Sequence, residues 1–375
     1  MPFDQDARDS GIALALSGGG FRAVLFHVGV LWRLNELGTL GRIARFSSVS
    51  GGSITAGVLA VRWPRLAFDA NGRSARFQDE IVAPLREFCA RNIDVASVLA
   101  GAFNPFRSAG EAVADEYRKR LGLGVSLQTL ADTPRFVFNA TNYATGVSFR
   151  FSKPYAGDYR IGLIHKPAFD VATAVACSSA FPPVLAPIEI DVRPEDFARV
   201  DGADLYDQID YRRRLMLADG GVYDNLGLET VWGRYETVLV SDAGKPFDID
   251  AGIGTLAPRQ ILRAMDIGLN QALSLRKRML IAAYARGDAK GAFWAIDTDP
   301  GDYPATELPA LRVAPERIAD LAAIRTRLDR FKEQEQCELI NWGYAVTDAA
   351  VRSRAPHVAF LAEKPAWPYA DHALH

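Results

Sequence analysis

The chain has 375 residues, 49% apolar and 23% charged, with a net charge of −2 at pH 7, which fits a folded protein with a sizeable core. No basic run supplies the footprint of sequence-independent nucleic-acid binding, and Cys89, Cys177 and Cys337 lack both disulfide arithmetic and zinc spacing. The polar start, Met1 to Gly11, has no secretory h-region and stretches such as Ile54–Val61 are too short to span a bilayer, so a cytoplasmic protein with reduced thiols is expected.

Ile12–Ser17 is a continuous apolar run closed by glycines, which predicts a short buried strand. After Gly18, Gly19 and Gly20, the segment Arg22–Leu37 puts Val24, Val28, Leu31 and Leu34 on one helical stripe, with Gly38 as C-cap. Ile43–Val49 predicts a second strand and Ser53–Arg62 a second helix. Strand, tight loop, helix, strand, tight turn, helix is the order of an α/β fold with a mostly parallel sheet covered by helices. Further on, Asp79–Arg91 and Glu111–Leu121 read as helices on either side of the apolar, turn-rich stretch Val98–Phe106. Arg135–Asn142 and Val147–Ser152 read as a hairpin. Asp170–Cys177 predicts a short helix, which Pro182 and Pro183 forbid from continuing. Leu215–Ala218 and Thr237–Ser241 predict strands, and Pro258–Arg286 and Pro315–Asn341 the two longest helices. No repeat, low-complexity tract or linker marks a boundary, so residues 1–375 are expected to form one domain.

Three short features carry chemistry jointly. Gly18, Gly19 and Gly20 lie between a strand and a helix, where backbone N–H groups and the helix dipole can hold a phosphate or the oxyanion of acyl transfer. Alone, such a loop is as often a plain tight turn. Ser50, followed by Gly51 and Gly52, also sits between strand and helix, as a nucleophile elbow requires. Ser48 occupies the position where that pattern has glycine, and Ser48 and Ser53 compete as nucleophiles; Ser53 suits an N-cap better. Asp219, Gly220 and Gly221 end a strand and allow close approach of another group, although an ordinary Asp-Gly turn has the same spelling. Together they offer a nucleophile, oxyanion donors and a base.

With these residues the sequence resembles the patatin-like phospholipases over about 12–228. The blocks are Gly18 to Arg22, Ser50 to Gly52, Ala174 to Pro183, and Asp219 to Gly221, in family order. The elbow also looks like that of the cytosolic phospholipase A2 catalytic domain. Ala23 and Ser48 stand where the family often has glycine. The resemblance implies a three-layer α/β/α patatin-like sheet; past it, the two long helical candidates predict a mostly helical extension over about 258–345. The resemblance implies a lipid acyl hydrolase of phospholipase A, lysophospholipase or carboxylesterase type. Ser50 and Asp219 would be its dyad and Gly18, Gly19 and Gly20 its oxyanion donors. Arg22, Gly51, Gly52, Gly220 and Gly221 would support the site or the substrate, with no metal or cofactor.

Rival readings stay open at this point. Ser50, Asp219 and His357 satisfy the order of a Ser-Asp-His triad, although His357, like His372 and His375, lies near the C-terminus; His27 reads as a satisfied core or surface histidine, and His165 has no obvious partner. A phosphate-binding module would use the glycine loop alone, although Phe21-Arg22 replaces the Lys-Ser/Thr ending of a P-loop. A catalytically silent lipid-binding relative is the third. Val98–Phe106 and Phe181–Leu185 are candidate walls of an acyl trough. Leu273–Arg286 reads as a basic amphipathic helix, which predicts peripheral contact with an anionic membrane.

Overall fold

The computed structural model describes residues 8–92, 109–183, 185–254 and 256–375. Alternation along strand β1 (Asp9–Leu16) sets the architecture. Its Ile12, Leu14 and Leu16 face one apolar core, and Ala13 and Ala15 face a second core on the opposite side of the sheet. A strand buried on both faces reads as an unbroken apolar run, which is why no period-2 pattern is visible in it.

Among the described residues the sheet has eleven strands. Its parallel half runs β11 (Lys290–Ala295), β10 (Tyr235–Asp242), β1, β2 (Ile43–Ser48) and β3 (Arg135–Asn142). Beyond β3 the pairing turns antiparallel through β4 (Val147–Ser152), β5 (Tyr155–Asp158), β6 (Gly162–His165) and the two-residue β8 (Phe197–Ala198). Off this path, β9 (Arg214–Asp219) pairs antiparallel with both β7 (Ile188–Asp191) and the C-terminal half of β3. β2 covers residues 135–138 of β3 and β9 covers 140–142. The end of β9 therefore abuts the end of β2, and this juxtaposition positions the site.

Helices cover both faces. Helix α1 (Gly20–Glu36) is buried from Gly20 through Asn35, rather than along one stripe. The reason is a second helix lying on it backbone to backbone. A Cβ on Gly29 would meet the Ile340 carbonyl oxygen at 1.9 Å, and one on Gly343 the Phe26 carbonyl oxygen at 2.0 Å. Around it stand α2 (Gly51–Arg62), α3 (Ala83–Cys89), α4 (Ala109–Leu121) and α5 (Val171–Ser178). α6 (Ala257–Arg286) lies on the other face, where Leu280 joins the second core. The helix expected over Pro315–Asn341 is two: α7 (Pro315–Ala323) and α8 (Glu333–Arg354), the partner of α1. Residues past 258 are mostly helical, and they also contribute a sheet strand and the cover of α1. The stretch 98–106 lies outside the described residues. Among the described residues no helix is long and apolar enough to cross a membrane.

Candidate active site

Ser50 occupies the turn between β2 and α2 with φ 51° and ψ −119°, a backbone region costly for any residue with a Cβ. Packing enforces it. A Cβ on Gly51 would fall 2.2 Å from the Gly20 carbonyl oxygen, and one on Gly52 2.5 Å from that of Leu16. The turn therefore needs glycine at both positions, and it presses the elbow onto the glycine loop. The Ser50 N–H donates to the Ser178 hydroxyl at 3.1 Å and the Ser178 carbonyl at 3.2 Å.

The competing serines are disposed of by burial. Ser48 and Ser53 are fully buried. The Ser53 hydroxyl donates to Ser48 Oγ at 2.9 Å and lies 2.8 Å from Ser178 Oγ, while Ser48 donates to the Val137 carbonyl at 3.2 Å. Ser53 is thus not the N-cap; Ser50 holds that position, without a capping side-chain bond. Of the three, only Ser50 lines the large cavity of about 1160 Å³.

Asp219 ends β9 and its carboxylate is within hydrogen-bonding reach of the Ser50 hydroxyl. The Gly221 N–H donates to Asp219 Oδ1 at 2.7 Å, and the Thr141 hydroxyl and Ala180 carbonyl hold its backbone. A Cβ on Gly220 would meet the Asn139 carbonyl oxygen at 2.2 Å, so this turn also requires glycine for close approach to β3. Burial pushes the Asp219 carboxyl up from 3.8 to about 6, against the lowering effect of the Ser50 and Gly221 hydrogen bonds.

The glycine loop divides in its roles. Gly19 (φ 142°) and Gly20 (φ 58°) line the cavity, and their N–H groups have no protein acceptor among the described residues. Gly18, expected as a third oxyanion donor, instead gives its N–H to the Asn225 carbonyl at 3.2 Å and does not line the cavity. Its lack of a side chain still matters, since a Cβ there would meet Asn225 Oδ1 at 2.4 Å and Ser50 Cβ at 3.0 Å.

Arg22 does not line the cavity. Its guanidinium is buried and donates to the carbonyls of Ala322 (2.6 Å), Ile324 (2.8 Å) and Ala243 (2.9 Å). Burial brings it down to about 10, against the pull of Asp242 and Asp297, so it remains a cation at neutral pH. This clamp fixes the segment after α7 over the glycine loop, where Phe21 N–H donates to the Arg327 carbonyl at 3.3 Å. Thr326, Arg327, Leu328 and Asp329 then form one wall of the cavity. Sequence reasoning missed this wall, as it missed Asn225, which packs among Gly18, Gly221 and Gly244.

No histidine lines the cavity among the described residues. His357 Nε2 lies 3.0 Å from the Thr237 hydroxyl, at the start of β10 and so at the sheet edge opposite Ser50. His27 Nε2 is 3.0 Å from the Ser17 carbonyl, which can only accept, so Nε2 carries the proton and Nδ1 accepts from Ser241 Oγ at 3.1 Å. Burial lowers His27 to about 4 and keeps it neutral, a staple between the root of the glycine loop and β10.

Apolar residues 181–183 and 185, together with Val113, line the side of the cavity expected to take an acyl chain. The basic residues of 273–286 are partly engaged inward. Lys277 pairs with buried Asp242 at 2.6 Å and Arg276 approaches buried Asp224 at 3.5 Å, which ties α6 to the sheet. Among the described residues no cluster of His, Cys, Asp or Glu is arranged to hold a metal ion.

The family model of the patatin-like phospholipases matches residues 14–232, more than half of the chain. No curated protein sequence matches it. Human GIVD cytosolic phospholipase A2 is similar in structure at TM-score 0.51 and 15% identity, over 95% of this chain and 61% of that one. The same human enzyme in complex with methyl γ-linolenyl fluorophosphonate inhibitor and terbium chloride gives 0.50 and 15%, over 93% and 59%. VipD from Legionella pneumophila gives 0.37 and 14%, over 92% and 67%. The chain spans 59–61% of the length of the human enzyme, and at that identity the likeness is one of fold. With its mixed sheet flanked by helices and the match over 14–232, the chain belongs to the patatin-like phospholipase family.

Proposed function

We propose that this protein hydrolyses fatty acyl esters of lipids through an acyl-enzyme on Ser50, with Asp219 as its only base. One observation carries the reading: a serine on a strained elbow faces a buried carboxylate raised to about 6, at the foot of a cavity with apolar walls. Asp219 takes the hydroxyl proton as Ser50 Oγ attacks the ester carbonyl carbon. The N–H groups of Gly19 and Gly20 stabilise the tetrahedral oxyanion. Collapse expels the alcohol, which receives the proton from Asp219. Water, deprotonated by the same carboxylate, then attacks the acyl-enzyme and releases the fatty acid and free Ser50. Gly51, Gly52, Gly220 and Gly221 serve by letting the elbow, the glycine loop and the Asp219 turn meet. Arg22 acts at one remove, by holding residues 322–327.

The position of His357 at the opposite sheet edge favours the dyad over a triad. The free N–H groups beside a serine and a carboxylate, with no lysine in the loop, favour an oxyanion over a nucleotide phosphate. The test is labelling by a fluorophosphonate probe combined with hydrolysis of a lipid panel. Ser50→Ala should lose both labelling and hydrolysis, and Asp219→Asn should retain the fold with little of either. Hydrolysis surviving in Ser50→Ala would overturn the proposal, and absence of labelling in the intact protein would favour a silent lipid-binding relative.

A further inference from the structure

Ten of the fourteen large apolar side chains exposed among the described residues lie within 249–281. Scattered exposed apolar residues are normal in a folded protein, but a concentration of this kind marks a contact surface. Most of it belongs to α6, a helix of 30 residues in which only Leu280 and Ala283 are buried. α6 is tied down towards its C-terminal end, by the pairs of Arg276 and Lys277 and by Tyr284, whose hydroxyl donates to the Val238 carbonyl at 2.6 Å.

The distribution of these side chains distinguishes possible occupants. At about 100° per residue, Ile261, Met265, Leu275 and Met279 lie on one flank of the solvent side and Ile267 and Ile281 on the other. Pairing with a helix of a second copy would cover one narrow seam and leave the other flank in water. Apolar residues on both flanks fit immersion in an apolar medium. The patch is also continuous with the active-site cavity, because Ile253, Leu262 and Phe181 are exposed and line the cavity as well.

Charge selects the kind of surface. Around the patch, Lys245, Arg259, Arg263 and Arg278 are interspersed with Asp248, Asp250 and Asp266, and Lys245 is paired with Asp248. A rim of nearly balanced sign complements a zwitterionic headgroup layer and gives little preference for an anionic one. We infer that residues 249–254 and 256–281 form a bilayer-docking surface that inserts apolar side chains into a zwitterionic phospholipid interface, with the cavity mouth turned towards the lipid. This inference rests on the lipid-ester reading of the site, and it relocates the membrane contact from the basic side of residues 273–286 to the apolar solvent side of α6. Docked in this way, an acyl chain passes from the bilayer into the cavity without crossing water.

The test is co-sedimentation of the full chain with phosphatidylcholine vesicles, beside vesicle-lipid hydrolysis and hydrolysis of a soluble short-chain ester. The variant Ile261→Gln/Met265→Gln/Leu275→Gln changes side chains that do not line the cavity. We expect the unaltered protein to bind neutral vesicles, with less than about threefold change on raising the salt or adding anionic lipid. The triple variant should lose at least about tenfold in vesicle partition and in vesicle-lipid hydrolysis, while soluble-ester hydrolysis stays within about twofold. If the triple variant fails to fold, Ile267→Gln/Ile281→Gln on the other flank carries the same expectation. Unchanged vesicle binding in the variants, binding that requires anionic lipid, or a dimer in solution that the variants dissociate would each overturn the inference. Loss of all ester hydrolysis in the unaltered protein, with vesicle binding intact, would instead refute the catalytic reading alone.

Discussion

Asp219 makes the most demanding prediction, because its burial fixes both a rate profile and a stability profile. With a pKa of about 6, the carboxyl is about half ionised at pH 6 and about one-tenth ionised at pH 5. Were it at its ordinary 3.8, it would be more than about nine-tenths ionised at pH 5. The value of kcat/KM for a soluble ester should therefore fall about tenfold from its plateau by pH 5 and be level above about pH 7. The raised pKa also disfavours folding once the group is charged. Asp219 contributes no penalty below 3.8, an increasing one between 3.8 and about 6, and a constant one of about 3 kcal/mol above that. Asp219→Asn removes the charge, loses part of the hydrogen bonding to Gly221 and Ser50, and should raise the thermal midpoint by about 1–3 °C at pH 7.5. The gain should shrink as the pH is lowered below about 6. The assay is a set of initial rates in buffers of constant ionic strength, with recovery of activity checked after return to pH 7.5, beside thermal melts at pH 5 and 7.5. A flat rate profile down to pH 4.5, or a variant less stable than the parent at pH 7.5, would refute the reasoning.

Other changes read out single parts of the site. Ser50→Gly should abolish hydrolysis yet stabilise the fold by about 1 kcal/mol, since only glycine tolerates φ 51° without strain; chemical denaturation measures the gain. Gly51→Ala should destabilise by about 2 kcal/mol or more and abolish activity, because its Cβ collides with a backbone oxygen that cannot swing aside; equal stability and activity would show that the elbow has room. His357→Ala should leave kcat/KM within about threefold, whereas a loss of about 10³-fold would restore the triad.

Much of the fold was legible wherever elements were continuous and apolar. The hairpin of β3 and β4 has the expected limits, and the first two strands and helices lie within a few residues of theirs. What escaped was set by contacts distant in sequence. The periodicity of Pro315–Asn341 runs through a break that arises because Arg22, some 300 residues away, captures the carbonyls of Ala322 and Ile324. The stripe on α1 hid a helix buried all round, since the cover comes from α8 and depends on Gly29 and Gly343 fitting against backbone. Strands β5 to β8 are two to four residues long, too short for a pattern. At the candidate site, Ser50 and Asp219 stand out in the sequence because each has the glycines beside it that its turn needs. The division of labour between Gly18 and its neighbours does not, because it depends on which N–H the Asn225 carbonyl meets.

The absence of histidine from the proposed dyad poses a chemical question that burial answers. A carboxylate with its ordinary pKa of 3.8 is too weak a base to take a serine proton usefully at neutral pH. In a triad an imidazole near 6.5 supplies the basicity and the carboxylate only orients it. Here the end of β9 is driven against β3 under the elbow, and exclusion of water lifts Asp219 to about 6, close to the value an imidazole would bring. The Gly221 N–H restrains that rise and keeps the carboxylate largely ionised at pH 7, ready to accept a proton. In the proposed dyad, the same feature that costs the fold stability supplies the base. Relief of the cost by Asp219→Asn and loss of the reaction should therefore appear in one variant.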